Sequence, residues 1–115
     1  MKSDKDVVCS LPHFSSVVDD SPGILVQTGK TLLYGFSIVN SGAAATYLQL
    51  HDAAALTDVT LGTTVPTYVI AIAASAHKDR SLCKPLYFSL GLVMFSTTTP
   101  TGDTGAGTVV SLEYA

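Results

Sequence analysis

The sequence predicts an all-β chain: a β-sandwich, of jelly-roll type, with about seven to eight strands and an N-terminal arm. Three observations carry that expectation. Apolar residues recur with a period of two along most of the chain. Clusters of Gly, Pro, Asn and Ser punctuate the alternating stretches. Only Ala43 to Ala45 and Ala53 to Leu56 have helical composition, and each is too short to form a helix alone. The long connections suit the crossovers of two Greek keys, which is why the jelly roll is preferred among sandwiches.

Residues 1–21 form an arm of different texture, holding Lys2, Asp4, Lys5, Asp6, Asp19 and Asp20. It is either an ordered strand or an arm docked on a neighbour. Weak strand signals lie near Val7 to Cys9 and Ser16 to Val18. The sandwich domain is expected over residues 22–115. Ser21-Pro22-Gly23 marks a turn, Ile24 to Thr28 a weak strand, and Thr28-Gly29-Lys30 the next turn. Leu32, Tyr34, Phe36 and Ile38 then form a core-facing row that ends at the turn Asn40-Ser41-Gly42.

Thr46 to Asp52 alternates cleanly, with Leu48 and Leu50 inward and Tyr47, Gln49 and His51 outward. Asp52 to Pro66 carries no strand pattern and reads as a crossover. Tyr68 to Ala73 places large residues on even positions. His77-Lys78-Asp79-Arg80 reads as a solvated turn between apolar strands. Phe88, Leu90, Leu92 and Met94 form a further core-facing row. Thr97 to Gly107, with its turn at Thr99 to Asp103, is a Thr- and Gly-rich exposed loop, and Val110, Leu112 and Tyr114 close the core.

The chain has 115 residues, which is one domain by length and enough to bury a core without staples. Charged residues make up 13%, against about 25% in an ordinary soluble domain. The mean hydropathy is +0.40, yet the best apolar run, Tyr68 to Ala76, is about half of what a bilayer span needs. With six Lys and Arg and a formal net charge of −3, there is no basic stripe for nucleic acid. No membrane partner is expected either. The N-terminus lacks the apolar core of a signal peptide, so synthesis in the cytoplasm is expected. Cys9 and Cys83 match no metal or redox spacing and read as two buried free thiols.

Chemistry is not signposted. His13, His51 and His77 form no metal-binding spacing. His51 and Asp52 are adjacent on a strand, so they point to opposite faces and would not act as a base and its orienter. There is no nucleophile elbow, Glu113 is the only glutamate, and no Gly-rich loop joins a strand to a helix. No catalytic, metal or cofactor-binding residue is therefore expected, and the chain reads as a non-enzyme. The shortage of charge is better met by covering the surface with other subunits. The candidate interface is Tyr47, Gln49 and His51, outward on a charge-poor strand, together with the rim His77, Lys78, Asp79 and Arg80.

Two segments, Tyr34-Gly35-Phe36-Ser37-Ile38-Val39-Asn40 and Ala45-Thr46-Tyr47-Leu48-Gln49-Leu50-His51-Asp52, resemble small virion proteins of tailed bacteriophages. Leu61 to Pro66 and Gly91 to Thr99 fit the same pattern, so the likeness runs from about Leu32 to the C-terminus. The resemblance implies a virion structural protein made in the host cytoplasm. Its implied role is capsid decoration, or cement, on the outer shell. The implied partners are further copies of itself, a homotrimer favoured, and the major capsid protein. The alternative is a tail, baseplate or fibre protein whose jelly roll binds a host receptor.

Overall fold

The computed structural model describes residues 13–20 and 23–115. Eight strands form: β1 (His13–Val18), β2 (Ile24–Thr28), β3 (Thr31–Asn40), β4 (Thr46–Asp52), β5 (Tyr68–Ile72), β6 (Ala76–Phe88), β7 (Gly91–Thr97) and β8 (Thr108–Tyr114). They build two antiparallel four-stranded sheets, sheet A in the order β1-β8-β3-β6 and sheet B in the order β2-β7-β4-β5. The chain is all-β and its fold is a β-sandwich.

The pairing has a simple logic. β1 pairs with β8, β2 with β7, β3 with β6 and β4 with β5. The chain is thus one long antiparallel hairpin with its tip between β4 and β5. Rolling that hairpin places successive strands of each arm in alternate sheets, and the β3–β8 and β4–β7 pairings close each sheet. Between the sheets lie Val18, Leu33, Phe36, Ile38, Leu48, Leu50, Ile72, Phe88, Leu92, Met94, Val110 and Leu112. This is the core that the period-two pattern requires, since one face of each strand must leave water.

Two polar or glycine residues hold the corners. Asn40 is buried, and its Nδ2 donates to the carbonyls of Ala44 and Ala73 while its Oδ1 accepts from the Gly42 N–H. One side chain therefore ties the β3–β4 turn to the β5–β6 turn. Gly91 opens β7 at φ +152°, and a Cβ there would stand 2.5 Å from the Ala53 carbonyl. Only glycine fits that corner.

Several expectations are corrected. The row Leu32, Tyr34, Phe36, Ile38 is broken by a register shift between Leu33 and Gly35, so Leu33 takes the core position ahead of the shift. Leu90 does not continue the row of Phe88, Leu92 and Met94; it sits in the β6–β7 turn, 57% exposed. His77 to Arg80 is no turn but the first part of β6, paired with β3. Cys83 is exposed and free rather than buried; Cys9, with residues 1–12, lies outside the described residues. The second half of the arm is an ordered strand, because β1 pairs along its length with β8.

Candidate functional site

The two outer faces of the sandwich are built differently. Tyr47, Gln49 and His51 do point away from Leu48 and Leu50, but the exposed patch expected of them is not there. Gln49 is fully buried, His51 is 2% exposed and Tyr47 is half-buried. The β4–β5 crossover lies over this face of sheet B and sets Leu56, Val59 and Leu61 against Ala53, Val93 and Phe95. A second, smaller core results. Its signal was present in β7, where Leu92-Val93-Met94-Phe95 is apolar on both faces, the mark of a strand covered on both sides.

The buried polar groups under this roof form a directed chain. Gln49 Nε2 donates to Thr97 Oγ1 (2.9 Å) and to the Gly102 carbonyl (3.1 Å). That orientation leaves Gln49 Oε1 as the acceptor for His51 Nε2, 3.0 Å away. Nε2 of the neutral ring therefore carries the hydrogen, and Nδ1 is buried without a partner. Thr97 Oγ1 in turn donates to the Thr99 carbonyl at 2.8 Å. The His51 ring stands edge-on to Phe95, with centroids 5.6 Å apart. Burial pushes the His51 pKa below its ordinary value, because a charged ring would lose its hydration.

Asp52 looks like a free carboxylate in the sequence and is not one. Its oxygens accept from the backbone N–H of Ser89 (3.0 Å), Leu90 (2.7 Å) and Gly91 (3.3 Å) and from the Ser89 hydroxyl (2.9 Å). Burial alone would raise this carboxyl, but the four hydrogen bonds outweigh it and hold the pKa below the usual carboxylate value. Asp52 thus clamps the β6–β7 turn. A pocket of about 230 Å³ is lined by His51, Asp52, Asp58, Thr64 and Thr67. Its two most suggestive groups are already engaged, His51 by Gln49 and Asp52 by the turn. Among the described residues no cluster of three or more His, Cys, Asp or Glu is placed to hold a metal.

Among the described residues sheet A has no such roof. Its outward residues line up in rows across the strands through the register. Val17, Val109, Val39 and His77 form one row, and the three valines are 64%, 47% and 44% exposed. Ser15, Ser111, Ser37 and Asp79 form the next, with a 3.1 Å hydroxyl pair between Ser15 and Ser111 and a 2.6 Å hydrogen bond from Ser37 to Asp79. Glu113, Gly35 and Ser81 follow. At the β3 register shift this face dips into a depression of about 550 Å³, bordered by Ser37, Asp79, Ser81, Ser111 and Glu113.

The seven candidate interface residues are therefore not one patch. Tyr47, Gln49 and His51 face outward from sheet B under the roof. His77 and Asp79 face outward from sheet A. Lys78 and Arg80, opposite the inward residues Ile38 and Phe36, lean over the opening between the sheets. No family model, no curated protein and no solved structure matches the chain.

Proposed function

We infer that this chain is a non-enzymatic structural protein of a virus particle, a decoration or cement subunit that binds the outer surface of a tailed-phage capsid through the bare face of sheet A. The observation that carries the reading is the contrast between the faces. Sheet B is covered by the chain's own crossover and loops, while the described residues leave sheet A with a regular face of valine, serine and glycine, edged by His77, Asp79 and Glu113. Exposed valines in a row across three strands are poorly solvated and suit a partner surface that covers them. The rolled-hairpin strand pairing supports the reading of a jelly roll, an architecture common in virus shells. On this reading the protein works as a homo-oligomer, a trimer favoured, with the major capsid protein as partner and the virion as its location. Closed symmetry would also shelter sheet edges.

The test is reconstitution on particles. Purified protein is mixed with expanded capsids of the encoding virus, and bound density is mapped by cryo-electron microscopy. Density on the shell with sheet A against it is the expected result. No binding to shells, or binding through the crossover, defeats the reading.

A tail or fibre receptor-binding role is the second reading. It draws on the depression at Gly35, whose carboxylates and hydroxyls could engage a glycan. It ranks lower because Phe36, the aromatic at that spot, belongs to the core and offers no stacking platform. Saturable binding to host-envelope sugars, lost in Asp79→Asn, would promote it.

A further inference from the structure

β5 and β6 are the free edges of sheets B and A on the same side of the sandwich, and they are opposites in chemistry. β5 reads Tyr-Val-Ile-Ala-Ile, with no charge and no proline. Tyr68 and Val69 are 38% and 40% exposed. Nothing in it blunts the outward-pointing N–H and C=O groups that every edge strand carries. β6 holds Lys78, Asp79, Arg80, Lys84 and Pro85, and its register jumps between Ser81 and Leu86. A two-fold β6–β6 pairing centred on Asp79 would set Asp79 against its own copy and Lys78 against Arg80. That edge is closed to strand addition, and among the described residues nothing pairs with the β5 edge.

Between the two edges the sandwich gapes. A cleft of about 310 Å³ is lined by Phe36, Ile70, Leu82 and Leu86, with Lys78 and Arg80 at its rim. Phe36 is a core residue, and Ile70, Leu82 and Leu86 pack against the core, so the cleft leads to the interior. Among the described residues no carboxylate lines it. Asp79, between the two cations in sequence, points to the other face and accepts from Ser37. In a chain of net charge −3, three of the six Lys and Arg residues stand on β6.

We propose that this cleft captures an extended segment of a partner protein, which adds as a strand to β5, inserts an aliphatic side chain between the sheets and presents a carboxylate to Lys78 and Arg80. Backbone hydrogen bonds from β5 supply affinity, the apolar cleft supplies an anchor, and the basic rim sets the charge of the occupant. A second copy is the wrong occupant. Two-fold pairing through β5 would bring two basic rims together with no acid between them. The proposal concerns a different surface from the bare face of sheet A and stands or falls separately from it.

The probe is a nine-residue peptide with valine and glutamate alternating on one face and threonine on the other. The control carries lysine in place of glutamate. With the full chain labelled for amide-resolved NMR, the glutamate peptide is expected to shift the Tyr68–Ile72 amides and slow their hydrogen exchange. The lysine peptide should leave them in place. In the K78E/R80E variant the preference should reverse by roughly tenfold or more. Both side chains are exposed, and an unchanged core spectrum verifies the fold; Arg80→Gln serves should the double variant not fold. The proposal fails under any of three results: β5 amides unmoved by millimolar glutamate peptide, equal response to both peptides, or β5 shifts that depend on protein concentration alone.

Discussion

The two outer faces of this sandwich solve the same problem in different ways. Both must keep apolar side chains such as Val93 and Val109 out of water or leave them in it. Sheet B is dried by the chain itself: the β4–β5 crossover brings Leu56, Val59 and Leu61 onto Val93 and Phe95, and the 97–107 loop caps Gln49. Sheet A receives no cover from the described residues, which leave Val17, Val39 and Val109 exposed. A long connection can be a second core, and a bare sheet with the same alternation can be a surface reserved for something else. The difference lies in sequence far from the strands themselves, in whether a connection has apolar residues to lay down.

The contrast breaks hardest at Phe95. Truncation to Ala removes the ring that the roof packs on and that His51 faces. A loss of about 3–5 kcal/mol is expected in urea unfolding, the range for a buried aromatic. Val109→Ala on the bare face should cost under about 0.5 kcal/mol in the same assay. Equal losses would mean that the roof adds nothing. Next in size is Gln49→Leu, which keeps volume but strands the His51 N–H and takes the side-chain donor from the Gly102 carbonyl, while Thr97 keeps its bond to Thr99. About 1–3 kcal/mol is expected, the cost of buried groups left without partners. Asp52→Ala should follow at about 1 kcal/mol, because the turn it clamps is partly exposed and water replaces some of its bonds.

Much of the fold is legible in the residues, and the failures have local causes. Leu48, Leu50, Ile72, Leu92, Met94, Val110 and Leu112 announce their side of the sheet by period two and are core. The row at Leu32 fails because a register shift inserts an uncounted residue, and nothing in Leu-Tyr-Gly marks where pairing slips. His77 to Arg80 resembles a turn because charge normally means solvent, but on an edge strand charge also protects against pairing. Period two correctly turns Gln49 and His51 outward, but it does not show that they are covered. Their cover comes from a segment without periodicity, so no strand pattern could reveal it. The doubly apolar run in β7 could.

Acid should act on the roofed face before the bare one. The His51 pKa is lowered by burial, so the folded state resists the proton that the unfolded ring takes up near its ordinary value of 6.5. Between the lowered folded value and 6.5 the unfolded chain binds more protons, and stability rises with pH. Stability contributed by neutral His51 is thus complete above about pH 6.5 and is lost as pH falls towards the folded value. Asp52 adds a second loss further down, as pH falls through its own depressed folded value. Urea midpoints measured from pH 8 to pH 4 should be flat and then decline, and His51→Gln should flatten the first part of that decline. An unaltered profile in the variant would show that the ring is not what titrates.

The smallest effect on folding should accompany the largest effect on association. Val109 stands between Val17 and Val39 on the bare face, 47% exposed, with its side chain clear of the core. Val109→Lys should leave the unfolding midpoint within about 0.5 kcal/mol, as surface changes do. A desolvated interface across that row would bury the new ammonium with no carboxylate in its own row; the nearest are Asp19, beside Gly107 and Val17, and Asp79 and Glu113 in the rows on the other side. Particle binding, or the oligomer seen in sedimentation, should therefore be lost while the monomer stays folded. If Val109→Lys binds particles as well as the parent does, sheet A is not the seat, however bare it is.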